Sequence, residues 1–311
     1  MKKLSNKILL AGLVVLVGIF VASRFFRSPG LESNLRKDLL TLDTAKIDEI
    51  KILPSKERTE ELRLVREGNL WKVIKGTRQE PASKSSVKNL LSSLNMEAQQ
   101  MVSRKKEKWE EFNVGNNSTH VTVFSEGNKR ADFHVGKLGF TQNSSGGFGG
   151  SYTYVRLSDE DQVYSVDGFL EPTFNSTFND WRDKTLSKLK KEDAIKLSFN
   201  YPADSSFVVE KRDSVWYTAA DKVDPSKIEN LLNLLAAKYA NEFADGFTPA
   251  SLPTATLQVD GKAGNLLKIE AWKKDESEWI LSSSQQKGIY FSDKGSSATK
   301  DVFVGRKKLL P

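Results

Sequence analysis

The sequence predicts an α+β protein: an N-terminal transmembrane helix followed by two related units, each an antiparallel or mixed β-sheet with a packed helix. Three observations carry this. Residues 8–22 are apolar without interruption, segments of alternating apolar residues recur along the body, and two amphipathic helices stand at matching places in its two halves. The expected organisation is a membrane anchor over 1–27, a stalk over 28–43, a first unit over 44–190 and a second, shorter unit over 191–311.

The anchor comes first. Residues 8–22 (ILLAGLVVLVGIFVA) carry no charge, and 15 residues at 1.5 Å rise cover about 22 Å of a hydrocarbon layer about 30 Å thick. Leu4, Phe25 and Phe26, with the snorkelling stems of Lys7 and Arg24, extend the span on both sides. Lys2, Lys3 and Lys7 favour a cytoplasmic N terminus and an extracytoplasmic body, an asymmetry that Arg24 and Arg27 reduce. The expected location is therefore the cytoplasmic membrane, crossed once, with the body periplasmic. A cleaved signal with a small-residue site at Val21-Ala22-Ser23 and a buried helix are the alternatives. Ser28-Pro29-Gly30 ends any helix, and residues 31–40 read as a short helix or a flexible tether.

In the first unit Ile47–Ile52 alternates as a strand, and Glu61–Glu67 and Leu70–Ile74 form a hairpin about Gly68-Asn69. Ser83 or Ser85 caps a helix on which Val87, Leu90, Leu91 and Leu94 make the apolar stripe. A short helix at Lys108–Phe112 and strands at 118–124, 129–135, 152–157 and 162–166 follow. The second unit repeats the order. Ile195–Phe199 is followed by a hairpin of Phe207–Lys211 and Val215–Tyr217, then a helix capped by Asp224 with Pro225 in its first turn. Ile228, Leu231, Leu232 and Leu235 form its stripe, and strands at 254–259, 265–272, 278–282 and 288–291 complete the unit. Trp71 and Trp216 occupy corresponding hairpin arms, and Trp181–Leu186 compares with Gly305–Leu310.

Composition narrows the chemistry. Of 47 basic against 40 acidic residues, five basic ones precede residue 31 with no acid among them, so 42 against 40 leave only +2 over the body. That balance offers no broad footprint for nucleic acid. With no cysteine and two histidines, thiolate chemistry and Cys-ligated metals are excluded. His120 and His134 sit in neighbouring strands beside Asp132, without an HExxH pattern; ordinary strand positions describe them, and a metal site needs further converging ligands. Gly146-Gly147-Phe148-Gly149-Gly150 has neither the P-loop lysine nor GxGxxG spacing, which leaves a mobile hairpin loop with Phe148 as a contact tip. No GxSxG elbow is present, and Glu110-Glu111 and Asp159-Glu160-Asp161 read as solvated charge. Trp181-Arg182-Asp183-Lys184 combines an indole donor with a guanidinium, chemistry that suits an interface and equally suits a domain end fastened to its own core. No catalytic, metal or cofactor residues are assigned; the candidate interface residues are Trp181, Arg182, Lys184 and Phe148.

Leu70-Trp71-Lys72-Val73, the helix stripe from Val87 to Leu94, Tyr154-Val155-Arg156, Gln162–Val166 and Trp181-Arg182-Asp183-Lys184 together resemble the bacterial DUF4340 domain family. The resemblance covers about residues 44–190 well and the second unit less well, where Gly305 stands in place of Trp181. It implies a membrane-anchored extracytoplasmic protein of the kind sometimes encoded beside gliding or export ABC transporter components, and it supplies no catalytic set. The expected function is a non-enzymatic accessory module of a cell-envelope complex, with the membrane and membrane-complex proteins as partners and no cofactor. Capture of a small molecule, glycan or peptide in a groove between the two units is the alternative.

Overall fold

A computed structural model describes residues 37–311. The anchor over residues 8–22 and the stalk as far as residue 36 lie outside the described residues. Among the described residues no helix is long and apolar enough to cross a membrane. The described residues divide into two compact units, the first ending at Trp181 and the second running from Arg182 to Pro311.

The first unit contains β1 (Asp38–Leu40), β2 (Glu49–Leu53), β3 (Leu62–Glu67), β4 (Leu70–Lys75), β5 (Arg78–Pro81), helix α1 (Lys84–Ser92), β6 (Met96–Ser103), β7 (Thr119–Ser125), β8 (Asn128–Gln142), β9 (Phe148–Leu157), β10 (Val163–Asp167) and the short helices α2 (Leu170–Phe174) and α3 (Phe178–Trp181). Its ten strands form one sheet in the order β1-β6-β10-β9-β8-β7-β2-β3-β4-β5, with every pair antiparallel. Alternation fixes the buried face: Ile50 and Ile52 on β2, Leu62 and Leu64 on β3, and Val121 and Val123 on β7 are all in the core. Val87 and Leu90 of α1, capped by Ser83, join that core with Phe174 and Trp181, and Phe133 meets Phe174 edge to face at 5.5 Å.

The second unit contains β11 (Thr185–Ser187), β12 (Ala194–Asn200), β13 (Phe207–Arg212), β14 (Val215–Thr218), β15 (Asp221–Lys222), helix α4 (Pro225–Ala236), β16 (Lys238–Tyr239), β17 (Glu242–Phe243), β18 (Ala255–Gly261), β19 (Gly264–Lys273), β20 (Trp279–Ser283), β21 (Tyr290–Ser292) and helices α5 (Ala298–Val302) and α6 (Arg306–Leu309). A nine-stranded sheet runs β15-β14-β13-β12-β18-β19-β20-β21-β17, and β11 pairs with β16 separately. Asp224 caps α4 by accepting from Ser226 N at 2.8 Å and Lys227 N at 3.2 Å, and Ile228, Leu231, Leu232 and Leu235 are buried on one stripe.

Read from the β5 edge, the first nine strands of the first sheet are β5-β4-β3-β2-β7-β8-β9-β10-β6, which is strand for strand the order of the second, and β1 is an added edge strand without a counterpart. Backbone details repeat as well. Trp71 lies opposite Arg66 and Trp216 opposite Lys211, and the two tryptophan carbonyls accept from Ala82 N and Val223 N, each at 2.9 Å. The N-cap residue of each main helix donates its N–H to the last short helix of its unit: Ser83 N to Trp181 O at 2.7 Å, and Asp224 N to Leu309 O at 2.9 Å. Trp181 therefore corresponds to Leu309, and the comparison of Trp181 with Gly305 is off by about one helical turn.

The α+β assignment is corrected. The described chain is mostly β, in three sheets that are antiparallel throughout. The longest described helices, α1 with 9 residues and α4 with 12, each serve sheets of ten and nine strands. Strands outnumber the sequence reading because β1, β5 and β6 lack clean alternation. Residues 38–40, within the stretch expected to be a short helix or a flexible tether, form the strand β1 against β6. Met96–Ser103 is rich in helix formers yet pairs on both sides, so tertiary pairing overrides local preference. Lys106–Lys108 forms a 3-10 turn where Lys108–Phe112 was expected to be helical.

Candidate functional site

The hairpin of β8 and β9 outruns its neighbours. Pairing of β7 with β8 ends at Thr119 opposite Val135, Lys137 N donates to Phe112 O at 3.1 Å, and pairing of β10 with β9 ends at Asp167 opposite Tyr152. Beyond those points β8 and β9 pair only with each other, from Phe140 opposite Ser151 to Gln142 opposite Phe148. Register shifts at Val135/Leu138 and Thr141/Gln142 mark bulges that re-aim the strands. Three residues on β8, at about 3.4 Å each, carry the paired hairpin about 10 Å past the sheet, with the turn beyond them.

The turn closes on itself. Asn143 Oδ1 accepts from Ser145 N at 3.0 Å and Gly147 N at 2.9 Å, Asn143 N donates to Gly147 O at 2.9 Å, and Gly146 N donates to Asn143 O at 3.0 Å. Gly146 has φ +79, a conformation that favours glycine. A Cβ on Gly149 would lie 2.8 Å from the Asn143 nitrogen, so only glycine permits that approach. On the outside stand Phe140 and Phe148, 60% and 65% exposed, with Phe169, 52% exposed, at the start of α2. Their rings are contiguous, Phe140 to Phe148 at 6.0 Å and Phe140 to Phe169 at 6.5 Å. From Leu138 to Val155, 18 residues, no side chain is charged, whereas a chain that is 28% charged would place about five there. Exposed phenylalanines without charge are the surface that water solvates least well.

The other interface residues fall elsewhere. Trp181 is 2% exposed in the first core. Arg182, also 2% exposed, stacks its guanidinium 3.5 Å above the Phe243 ring and binds Asp245 at 2.8 Å and 3.0 Å. Lys184 Nζ lies 5.9 Å from the same ring. Burial takes Trp181 and Arg182 out of any docking surface and gives them the fastening role. Phe148 alone of the four is widely open, and Phe140 and Phe169 join it. Their signal in the sequence was the uncharged run 138–155 rather than the glycines.

The histidines do meet. His120 and His134 are cross-strand partners with rings stacked at 4.7 Å. Asp132 Oδ1 accepts from His120 Nε2 and from Ser158 Oγ, each at 2.6 Å, and Oδ2 accepts from Lys129 Nζ at 2.8 Å. Burial alone would raise the Asp132 carboxyl, but the bonds from Lys129, Ser158 and His120 outweigh it and hold the group at about 2. Burial, with the nearby charges of Arg156 and His120, holds His134 down to about 3. It is therefore neutral at pH 7. Ser118 Oγ donates to Gly115 O at 2.6 Å, so His134 Nδ1 is the donor in its 2.8 Å bond to that hydroxyl. A nucleophile triad needs histidine between serine and carboxylate. Here the carboxylate sits between serine and histidine, and the Ser118 proton is held by a carbonyl. Among the described residues no group of three or more His, Asp or Glu is placed to hold a metal. Asp132 and Ser158 also line an open cleft of about 490 Å³ with Leu40, Lys129 and Leu157.

Fold and site define a mostly β protein of two like-ordered units, one of which projects an aromatic arm. The family model described as Domain of unknown function (DUF4340) matches residues 71–260, more than half of the chain, and the protein belongs to that family. The match runs from β4 into β18, further into the second unit than the sequence motifs reached. No curated protein and no solved structure matches significantly.

Proposed function

We propose that the protein is a non-enzymatic accessory module of a cell-envelope complex, tethered to the cytoplasmic membrane by residues 8–22 with its N terminus inside and both units outside the cytoplasm. Its partners are membrane-complex proteins, an ABC transporter component foremost, following the family resemblance. The observation that carries the membrane-side placement in this reading is the arm: exposed aromatic rings on a long, charge-free hairpin, a surface unsuited to open water. The polar cluster at Asp132 supports it too, since its hydrogen bonds fix strands and leave no activated serine. Crosslinking in intact membranes followed by affinity isolation is expected to recover a stoichiometric complex. Recovery of the isolated chain alone, under conditions that keep other envelope complexes whole, overturns the reading.

A further inference from the structure

The two units contain the same hairpin at the same place in the sheet and finish it differently. In the second unit β19 and β20 turn through Lys273-Lys274-Asp275-Glu276-Ser277-Glu278, five charges in six residues, with ion pairs Lys273–Glu276 at 3.3 Å and Lys274–Glu278 at 2.8 Å. In the first, β8 and β9 have 15 and 10 residues against 10 and 5 in β19 and β20. The extra length is the arm. The sheet architecture thus tolerates a short, salted turn at this position, and the long neutral one needs a reason outside folding.

We propose that the arm seats in the surface of the lipid bilayer, with Phe140, Phe148 and Phe169 entering the headgroup boundary and fixing how the first unit stands on the membrane; this rests on the tethering part of the function proposed above. A shallow entry of about 5–10 Å is typical of interfacial elements and fits an arm whose paired part projects about 10 Å. The occupant is lipid rather than a protein strand because the exposed rings carry no charge or hydrogen-bonding group, so they need only an apolar phase and offer a partner chain nothing to register against. Within the turn Asn143 takes up the Ser145 and Gly147 donors and Gly146 N is bound to Asn143 O, which lowers the cost of a shallow entry, and the remaining backbone groups of the tip keep their water among the headgroups. Lys137, the first charge on the β8 side, stands at the base of the arm, where its stem leaves the ammonium among headgroups. Residues 23–36 separate the apolar segment from the described chain, and a tether of 14 residues spans up to about 48 Å when extended.

The natural chain has no cysteine, so Phe148→Cys and Glu276→Cys each place one environment-sensitive fluorophore on one of the two equivalent hairpins. The full chain is reconstituted into phosphatidylcholine vesicles with or without brominated acyl chains, and flotation is scored beside emission. Bromination is expected to roughly halve emission at 148 and leave 276 unchanged, and Phe140→Asp with Phe169→Asp is expected to abolish the quenching. A chain that floats while residue 148 stays in water overturns the arm proposal and leaves the tether standing. A chain that does not float overturns both. Shielding of 148 in native membranes but not in lipid vesicles assigns the arm to a protein partner and overturns its assignment to lipid.

Discussion

The hairpins β8–β9 and β19–β20 occupy one topological position and obey opposite rules of surface chemistry. The second is short, charged and internally ion-paired, as a water-facing turn is expected to be. The first is five residues longer on each strand and leaves two phenylalanines open, with a third, Phe169, beside them. Sheet order is constrained by packing and therefore repeats, whereas hairpin tips are released from that constraint and diverge according to what they touch. In a duplicated architecture one copy serves as the reference for the other.

The comparison breaks or sharpens under substitution. The largest effect is expected at the ends of the two units. Trp181→Ala should destabilise the first unit by about 3–5 kcal/mol, and Leu309→Ala the second by about 2–5 kcal/mol. Denaturant unfolding should show each variant lowering a different transition; a shared loss in both would dissolve the independence of the units. Next comes Arg182→Met, which removes the cation from the Phe243 ring and from a half-exposed Asp245; about 1–3 kcal/mol is expected from the second transition only.

Acid should separate the units by direction. His134 is held near 3 in the fold against about 6.5 in an unfolded chain, so below pH 6.5 the unfolded state binds more protons and the first unit loses stability as pH falls from about 6.5 towards 3. Asp132, depressed to about 2, loses its contribution below about 3.8. The second unit contains no histidine. Melting the chain at pH 7 and pH 5 should lower the first transition more than the second, and His134→Asn should remove most of that difference. Smaller still are the helix caps. Asp224→Ala should cost about 1–2 kcal/mol, and Ser83→Ala, which loses one longer bond to Ser86 N, about 0.5–1 kcal/mol. At the bottom, Phe148→Asp should change stability by less than about 0.5 kcal/mol, because the ring is not part of either core.

Much of the sheet was legible because burial on one face writes alternation into the chain. The strands about Ile50, Leu64, Val121, Leu197, Leu257 and Ile269 read directly, as did both main helices and the Asp224-Pro225 cap. Met96–Ser103 did not, since a strand pairing on both sides owes its state to partners distant in sequence. The arm was half visible. Its base alternates, but Phe-Thr-Gln-Asn-Ser-Ser-Gly-Gly has no period, because no face of the projecting part is packed. Trp181 and Arg182 were recognisable as unusual residues, and only burial and the Phe243 ring decide that they fasten the units' own cores. The correspondence of Trp181 with Leu309 was hidden because it is carried by a backbone carbonyl, which any residue supplies equally.

The bonds from Ser83 to Trp181 and from Asp224 to Leu309 also set a timetable. Each main helix is clasped at its start by the last turn of its own unit, so neither sheet has its lid fixed until that turn has been synthesised. The first body can latch as soon as Trp181 clears the ribosome, while the second is still being made. A chain interrupted between Asp224 and Leu309 would carry one locked body and one ajar, which makes that interval the stretch where quality-control proteases find their grip.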